Sequence, residues 1–438
     1  TTAPDGSLGP IRLGKRTADL NVTGGAIGGL IGLVQNVVPK LSSGLQEFAH
    51  QFILEANRAH STGVSANGPY RQMVGASTLV DQDGDGSVAD ELLAKSGLPF
   101  DVTAGELYVN VTNTVTGQMT KHRIDIDPER TTAAQFLNAL NAVGHLSASL
   151  DGQGRVRILA DADHGFDFSA RLDAVPDEIG SFGGARASLG TGLRGPFALS
   201  GGDTLDINGP SGPFTVTFNS GAFQQIGKAT AKEVAAVINA DTGAQANGIV
   251  AAAVGTDGVL QTLGGGTGAG FAVTGGSALG AFGWSAGTAV AGHTTTVGVG
   301  IAGAYTGPGN DAWTFRPNMD GTVGQTQGLK IEVFDSKGLK ITELDVGPGY
   351  TPGEEIDVLH GVRASFGLGQ LSASNNDVMR LDVVADADTA DVLPALGLNV
   401  LFTGSDATTM GVRKDLESNP TLLATSATGA EGDNGVLQ

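Results

Sequence analysis

Apolar residues near the start of the chain fall at Ile27, Ile31, Val34, Val38, Leu41, Leu45, Phe48 and Phe52, in steps that alternate strictly between four and three. This is the spacing of an a/d seam, and it predicts a helix that packs in a coiled coil or bundle. Thr23 stands where an N-cap belongs, and the pattern ends near His60 with Gly63 placed as a C-terminal cap. Pro39 lies inside the pattern, where it removes one backbone hydrogen bond and should kink or split the helix while the apolar phase continues. The seam calls for partner helices that the rest of the chain scarcely supplies. The bland alternative is an ordinary amphipathic helix lying on its own domain's core.

Elsewhere helical patterning is short, over residues 131–143 and 230–240, with a further helix expected over 412–424. The remainder alternates with period two between glycine-rich turns, as at Leu107, Val109 and Val111, at Phe214, Val216 and Phe218, and at Leu329, Ile331 and Val333. Such alternation predicts half-buried strands. The strands recur in an order. A hairpin, a helix over 131–143 and a second hairpin are followed by the tail IGSFGG (179–184). The same order returns with a helix over 230–240 and the tail LGAFGW (279–284). A third unit begins at Leu329, replaces the helix with a hairpin and ends in ALGLNVLF (395–402). Repeats of about a hundred residues, joined by Gly- and Thr-rich stretches at 185–202 and 286–312, predict tandem or inserted α+β modules.

Composition agrees with short strands and many turns. Of 438 residues, 69 are Gly and 16 Pro, about a fifth of the chain against an ordinary ~12%. The formal charge of -20 argues against nucleic acid and anionic membranes as partners, since both demand the opposite sign. Absence of cysteine excludes disulfides, thiol catalysis and Cys-ligated metal. No apolar run reaches the ~20 residues of a membrane span, so the sequence predicts a soluble chain.

Motifs for chemistry are weak. GWSAG (283–287) has the G-x-S-x-G spacing of a hydrolase elbow around Ser285, but that chemistry needs a strand before the serine and a helix after it, and no helical pattern follows. GVGIAG (298–303) fits a dinucleotide fingerprint, yet Tyr305 and Pro308 follow where a helix should open toward phosphate. Residues 9–15 have phosphate-loop spacing, with Arg16 in place of the magnesium-binding hydroxyl. Histidines 50, 60, 122, 145, 164, 293 and 360 are scattered, and His50 and His60 point about 80° apart on a helix, so no preformed zinc site is expected. The strongest ligand-like run is DQDGDGSVADE (81–91). Asp81, Asp83, Asp85, Gly86 and Ser87 follow the first positions of a calcium loop, whereas position 12 is Leu92 and only Asp90 or Glu91 stands near enough to replace the missing acid. An acidic solvated turn is the competing reading. The sequence assigns no catalytic residue, no cofactor and no metal ligand set.

Two groups of residues lie toward the chain's ends. One comprises Phe402, Thr403, Gly404, Ser405, Asp406 and Ala407, then Asn419, Pro420, Leu422, Leu423 and Ala424, then Gly429, Gly432, Asp433 and Asn434. The other, Gly24 to Leu30, Pro39, Asn57, His60 and Gly63, gives a glycine-rich entry, a central proline and an N-x-x-H-x-x-G helix ending. In these residues the chain resembles the FlgK family of flagellar hook-filament junction proteins (hook-associated proteins). The resemblance brackets the chain and covers about a quarter of it by motif. It implies a secreted, non-enzymatic subunit of the extracellular bacterial flagellum. Its partners would be the hook protein and neighbouring junction and filament proteins, with self-association in the full-length chain. The family's long terminal helices are not found in these residues, so this stretch alone is expected to be a monomer.

Together these readings predict a multidomain, elongated α+β protein. A helical, irregular domain over 1–100 and 403–438 is expected to carry modules at 101–185, 186–312 and 313–402. Two other classes compete with the structural one: a repeat-built surface adhesin or S-layer-like binding protein, and a hydrolase resting on Ser285 alone.

Overall fold

The computed structural model describes residues 24–427, apart from 66, 175, 177–180, 183–185, 255–256, 266–268, 293–296 and 375–376. Thr23, residues 9–15, His293 and the Gly429 to Asn434 motif therefore lie outside the described residues. The fold is multidomain α+β, built around three principal apolar cores.

The first core gathers residues from Ile53 to Phe168 and from Ala390 to Leu398. Alternation at Leu107, Val109 and Val111 does produce a strand, Gly105–Asn113, lying between Met119–Ile126 and His164–Asp167. A second antiparallel sheet, Gln72–Val74, Val156–Ala160 and Leu146–Leu150, completes the strand set. The helix Ala133–Ala142 buries Phe136, Leu137 and Leu140 against it, and begins with a capping box in which Thr132 and Gln135 satisfy each other's backbone. The stretch Val392–Leu398 is also here. Reading the repeat carried the third unit to residue 402, but Val392, Leu393, Leu396 and Leu398 are fully buried in the first core.

The second core repeats the plan. Thr230 and Glu233 form the same capping box at the start of the helix Ala231–Ala240. Strands Asp203–Gly209 and Gly212–Phe218 make its hairpin, and Ile249–Val254 pairs with Asp257–Gly265. Asn141 in the first unit clamps the backbone of Ala148 through both its amide atoms at 2.9 and 2.7 Å; Asn239 in the second clamps Ala251 at 2.8 and 2.7 Å. In the third core the hairpin Glu355–Leu359 and Val362–Phe366 stands in place of a helix, beside the sheet formed by Lys340–Asp345, Lys330–Phe334, Asp311–Pro317 and Met379–Val383.

The Gly- and Thr-rich joints differ from expectation. Within them, Arg186–Gly190 and Thr288–Ala291 are strands of the second core's sheets, and Val297–Gly303 buries Val297, Val299 and Ile301 in the third. Small residues alternate with large there, which suits a strand as well as a linker. The helix expected over 412–424 is also largely absent: only Lys414–Ser418 is α-helical, followed by a 3-10 turn at Pro420–Leu422 and the strand Ala424–Ser426. Asn419 and Pro420 explain the break, since Pro420 disfavours helical backbone at the residue before it.

Candidate assembly surface

The seam residues form one helical rod. The α-helix Gly25–Gly32 passes through a π-helical segment, Leu33–Val37, into the α-helix Val38–Ser61. The Val38 N–H reaches back five residues to the Leu33 carbonyl. This wider turn falls immediately before Pro39, whose ring would otherwise crowd the preceding turn and whose missing N–H would break the ladder. Instead of a split, the proline produces a local loosening, and the wider turn shifts the apolar phase between the two halves.

Beyond Pro39 the helix has two faces of opposite fate. Ala49, Ile53, Asn57 and His60 are buried against the body. Leu41, Leu45, Phe48 and Phe52 point away from it, with 68, 59, 67 and 46% of their surface exposed. Phe48 and Phe52 stack at 6.2 Å, and Phe52 meets Phe402 at 5.6 Å. Before Pro39, Ile27, Leu30, Leu33, Val34 and Val37 are exposed as well. A contiguous apolar stripe of this length on a water-facing helix marks an interaction surface.

What fixes the stripe's direction is a polar clamp between the two ends of the chain. The Asn57 side chain accepts from the N–H groups of Leu401 and Phe402 at 3.0 and 2.9 Å and donates to the Phe402 carbonyl at 2.9 Å. His60 bridges the Asn399 carbonyl through Nδ1 at 2.6 Å and accepts the Ala424 N–H on Nε2 at 3.0 Å. This pairing makes it the neutral imidazole protonated on Nδ1. Burial holds its pKa below the ordinary value, with the hydrogen bond to Asn399 opposing. Asn399, in left-handed backbone at φ 50°, donates to the carbonyls of His60, Ser61 and Gly63, closing the helix C-terminus. Further out, Gln46 accepts the Ala407 N–H at 3.2 Å and His50 meets the Ser405 carbonyl at 2.9 Å. Arg58 forms a fork on Asp391 at 2.6 and 2.7 Å. Asn57 and His60 are thus brought onto residues 399–402 and 424. Asn399, which does most of the capping, was not singled out by sequence, and its only signal is an Asn preceding the apolar run Val400, Leu401 and Phe402.

The acidic loop is a tight turn. Asp81 accepts from Gly84 and Gly86 at 2.7 and 2.8 Å, and Asp85 is turned toward the Ser87 N–H at 2.8 Å. Glu91, buried, folds back to accept from Gln82 and Asp83 at 2.6 and 3.2 Å. Carboxylate oxygens of Asp81, Asp83 and Glu91 lie within 4.8 Å of one another. Any cation would therefore meet Glu91 in place of Asp85, by the shortened path.

GWSAG and GVGIAG do not take the settings their chemistry needs. Gly283 is the left-handed cap of the short helix Leu279–Phe282, and the strand Thr288–Ala291 follows Ser285, so the order is the reverse of an elbow. Among the described residues no histidine bonds the Ser285 hydroxyl. GVGIAG is the strand Val297–Gly303, and a side chain at Gly303, φ 91°, would collide with the Gly361 carbonyl. Among the described residues no helix is long and apolar enough to cross a membrane.

No protein-family model matches the chain, and no curated protein matches it. A solved structure, that of the flagellar cap protein FliD from Helicobacter pylori, aligns over 82% of this chain and 98% of its own at 9% identity, with a TM-score of 0.19. An overlap that low carries no argument about fold or role.

Proposed function

We propose that the chain is a non-enzymatic structural subunit of the bacterial flagellum, secreted and extracellular, that forms the junction between hook and filament by self-assembly and lateral contacts. Its partners are the hook protein and the neighbouring junction and filament proteins. The observation that carries this reading is the exposed stripe of Leu41, Leu45, Phe48 and Phe52, aimed outward by the clamp of Asn57 and His60 on residues 399–424. These are the two motif groups that resemble the junction family, and they meet. An apolar stripe held rigidly outward favours repeated association with like subunits. Among the described residues no histidine reaches the Ser285 hydroxyl, and the net charge of -20 opposes nucleic acid.

The full-length gene is expected to restore motility and filament attachment in a strain lacking its junction protein. Complementation no better than empty vector would remove the proposal.

A further inference from the structure

A cleft of about 940 Å³ opens between the first two α+β units. One wall is formed by Met119–Ile126 and the helix Ala133–Ala142; the other by residues 224–232. Lys232 spans it, donating from Nζ to the Ala142 carbonyl.

Its charge runs against that of the chain. Acids outnumber bases 45 to 25 overall, yet Arg130, Lys228 and Lys232 all line the cleft, and among the described residues none of the three has a carboxylate partner. Of the acids on its walls, Asp125 is held by Arg123 at 2.7 Å, which leaves Asp127. His122 adds no charge near neutrality, because burial first and the nearby Lys232 second depress its pKa to about 4. The surplus of positive charge on the walls therefore rests on Arg130, Lys228 and Lys232, the last with its pKa lowered by burial.

Its remaining surface suits hydroxyls and rings. The side-chain amides of Gln224 and Gln225 line the cleft and make no hydrogen bond within the described residues. His145 and His164 also line it, their rings stacked at 3.7 Å and 4° from parallel, with His145 Nδ1 anchored on Asp161 at 3.0 Å. His164 Nδ1 is buried without a partner. The outer face of the stacked pair is a flat surface of the kind on which a sugar ring packs, and the free amides on the same cleft match vicinal hydroxyls. Few separated cations suit carboxylates spaced along a chain, where a compact phosphate would need them converging on one point.

We propose that this cleft binds an acidic oligosaccharide, a short chain of sugar rings bearing carboxylates. Arg130 and Lys228 take the carboxylates, Gln224 and Gln225 the hydroxyls, and the stacked imidazoles one ring face. The proposal is independent of the flagellar role, because it concerns the isolated chain in solution.

Titration calorimetry with tetragalacturonate, neutral maltotetraose and inorganic phosphate tests it. Tetragalacturonate should bind saturably, at least about tenfold more tightly than maltotetraose, and more weakly as salt rises. The double variant Arg130→Ala with Lys228→Ala should lose about tenfold in affinity, the scale of a charge-assisted hydrogen bond, with its melting temperature unchanged because both side chains are exposed. Gln225→Ala should weaken binding severalfold by the same route. No saturable binding of tetragalacturonate up to about 10 mM overturns the proposal. So does equal binding of maltotetraose or phosphate, or unchanged affinity in the double variant.

Discussion

Asn399 links the fate of two distant segments through a single amide. Its Nδ2 serves three carbonyls at the end of the long helix, and its backbone carbonyl accepts from His60. Asn399→Ala leaves those carbonyls without a donor in a buried site, and the left-handed backbone adds strain for alanine. A loss of about 2–4 kcal/mol in unfolding free energy is expected by denaturant titration. His122 makes the chain acid-sensitive in a defined direction. Its folded pKa of about 4 lies below the ~6.5 of an unfolded histidine, so the unfolded state binds the extra proton first. The contribution is complete above pH 6.5 and is lost as pH falls toward 4. His122→Gln should flatten the decline of melting temperature across that window, relative to the parent chain, in scans at matched ionic strength.

At the scale of the element, the long helix separates assembly from stability. Leu45 and Phe48 are exposed, 59 and 67% respectively, so replacing both with Gln removes little buried area. The change in stability should stay within about 0.5 kcal/mol, while motility and filament attachment are lost in the complementation strain. Ile53→Ala, fully buried, should instead cost about 2–4 kcal/mol. A double variant that melts normally and still assembles would detach function from the stripe.

The helix was legible because its apolar spacing is long and regular, and the capped helices because Thr132 with Gln135 and Thr230 with Glu233 state their own starts. The clamp Asn141 to Ala148 recurs as Asn239 to Ala251, with each Asn nine residues after its capping Thr, so the repetition of units one and two is written in polar residues as well as apolar ones. The π turn was not legible, because a proline specifies a disturbance without specifying how the ladder accommodates it. Strands in the Gly- and Thr-rich joints were hidden for a different reason: glycine is read as a turn signal, and only pairing partners far along the chain make it a strand residue.

Across the whole molecule, long-range pairings join the units. Tyr108 donates its backbone N–H to the Ala387 carbonyl at 2.8 Å, which ties the first sheet to the segment leaving the third. Between the second and third units, Arg194 pairs with Asp382, while Asp257, raised in pKa by burial, is held by Arg380 at 3.4 Å and faces Arg194 at 4.0 Å. Arg194→Met removes a cation from between two carboxylates. The expected result is a loss of about 2–4 kcal/mol and a calorimetric profile in which one unit melts ahead of the other. A single, unshifted transition would mean that this pair does not couple them. The cleft and the clamp were beyond sequence reading for a related cause: Ala142 with Lys232, and Asn57 with Phe402, become neighbours only when separate units or the two chain ends are folded together.

The clamp at Asn57 and His60 also has a mechanical meaning. From Ala49, the first buried residue, back to Gly25 the helix runs 24 residues, about 36 Å at 1.5 Å each, with no residue buried. It is a lever supported at one end. A neighbour that grips the outer stripe applies torque whose reaction falls on the hydrogen bonds of Gln46, His50, Asn57 and His60 to residues 399–407 and 424, and from there on Val392–Leu398 in the first core. Load on a subunit of this design enters the body along one short stretch of helix, from Gln46 to His60, and the π turn before Pro39 is the place along the arm where it can flex first.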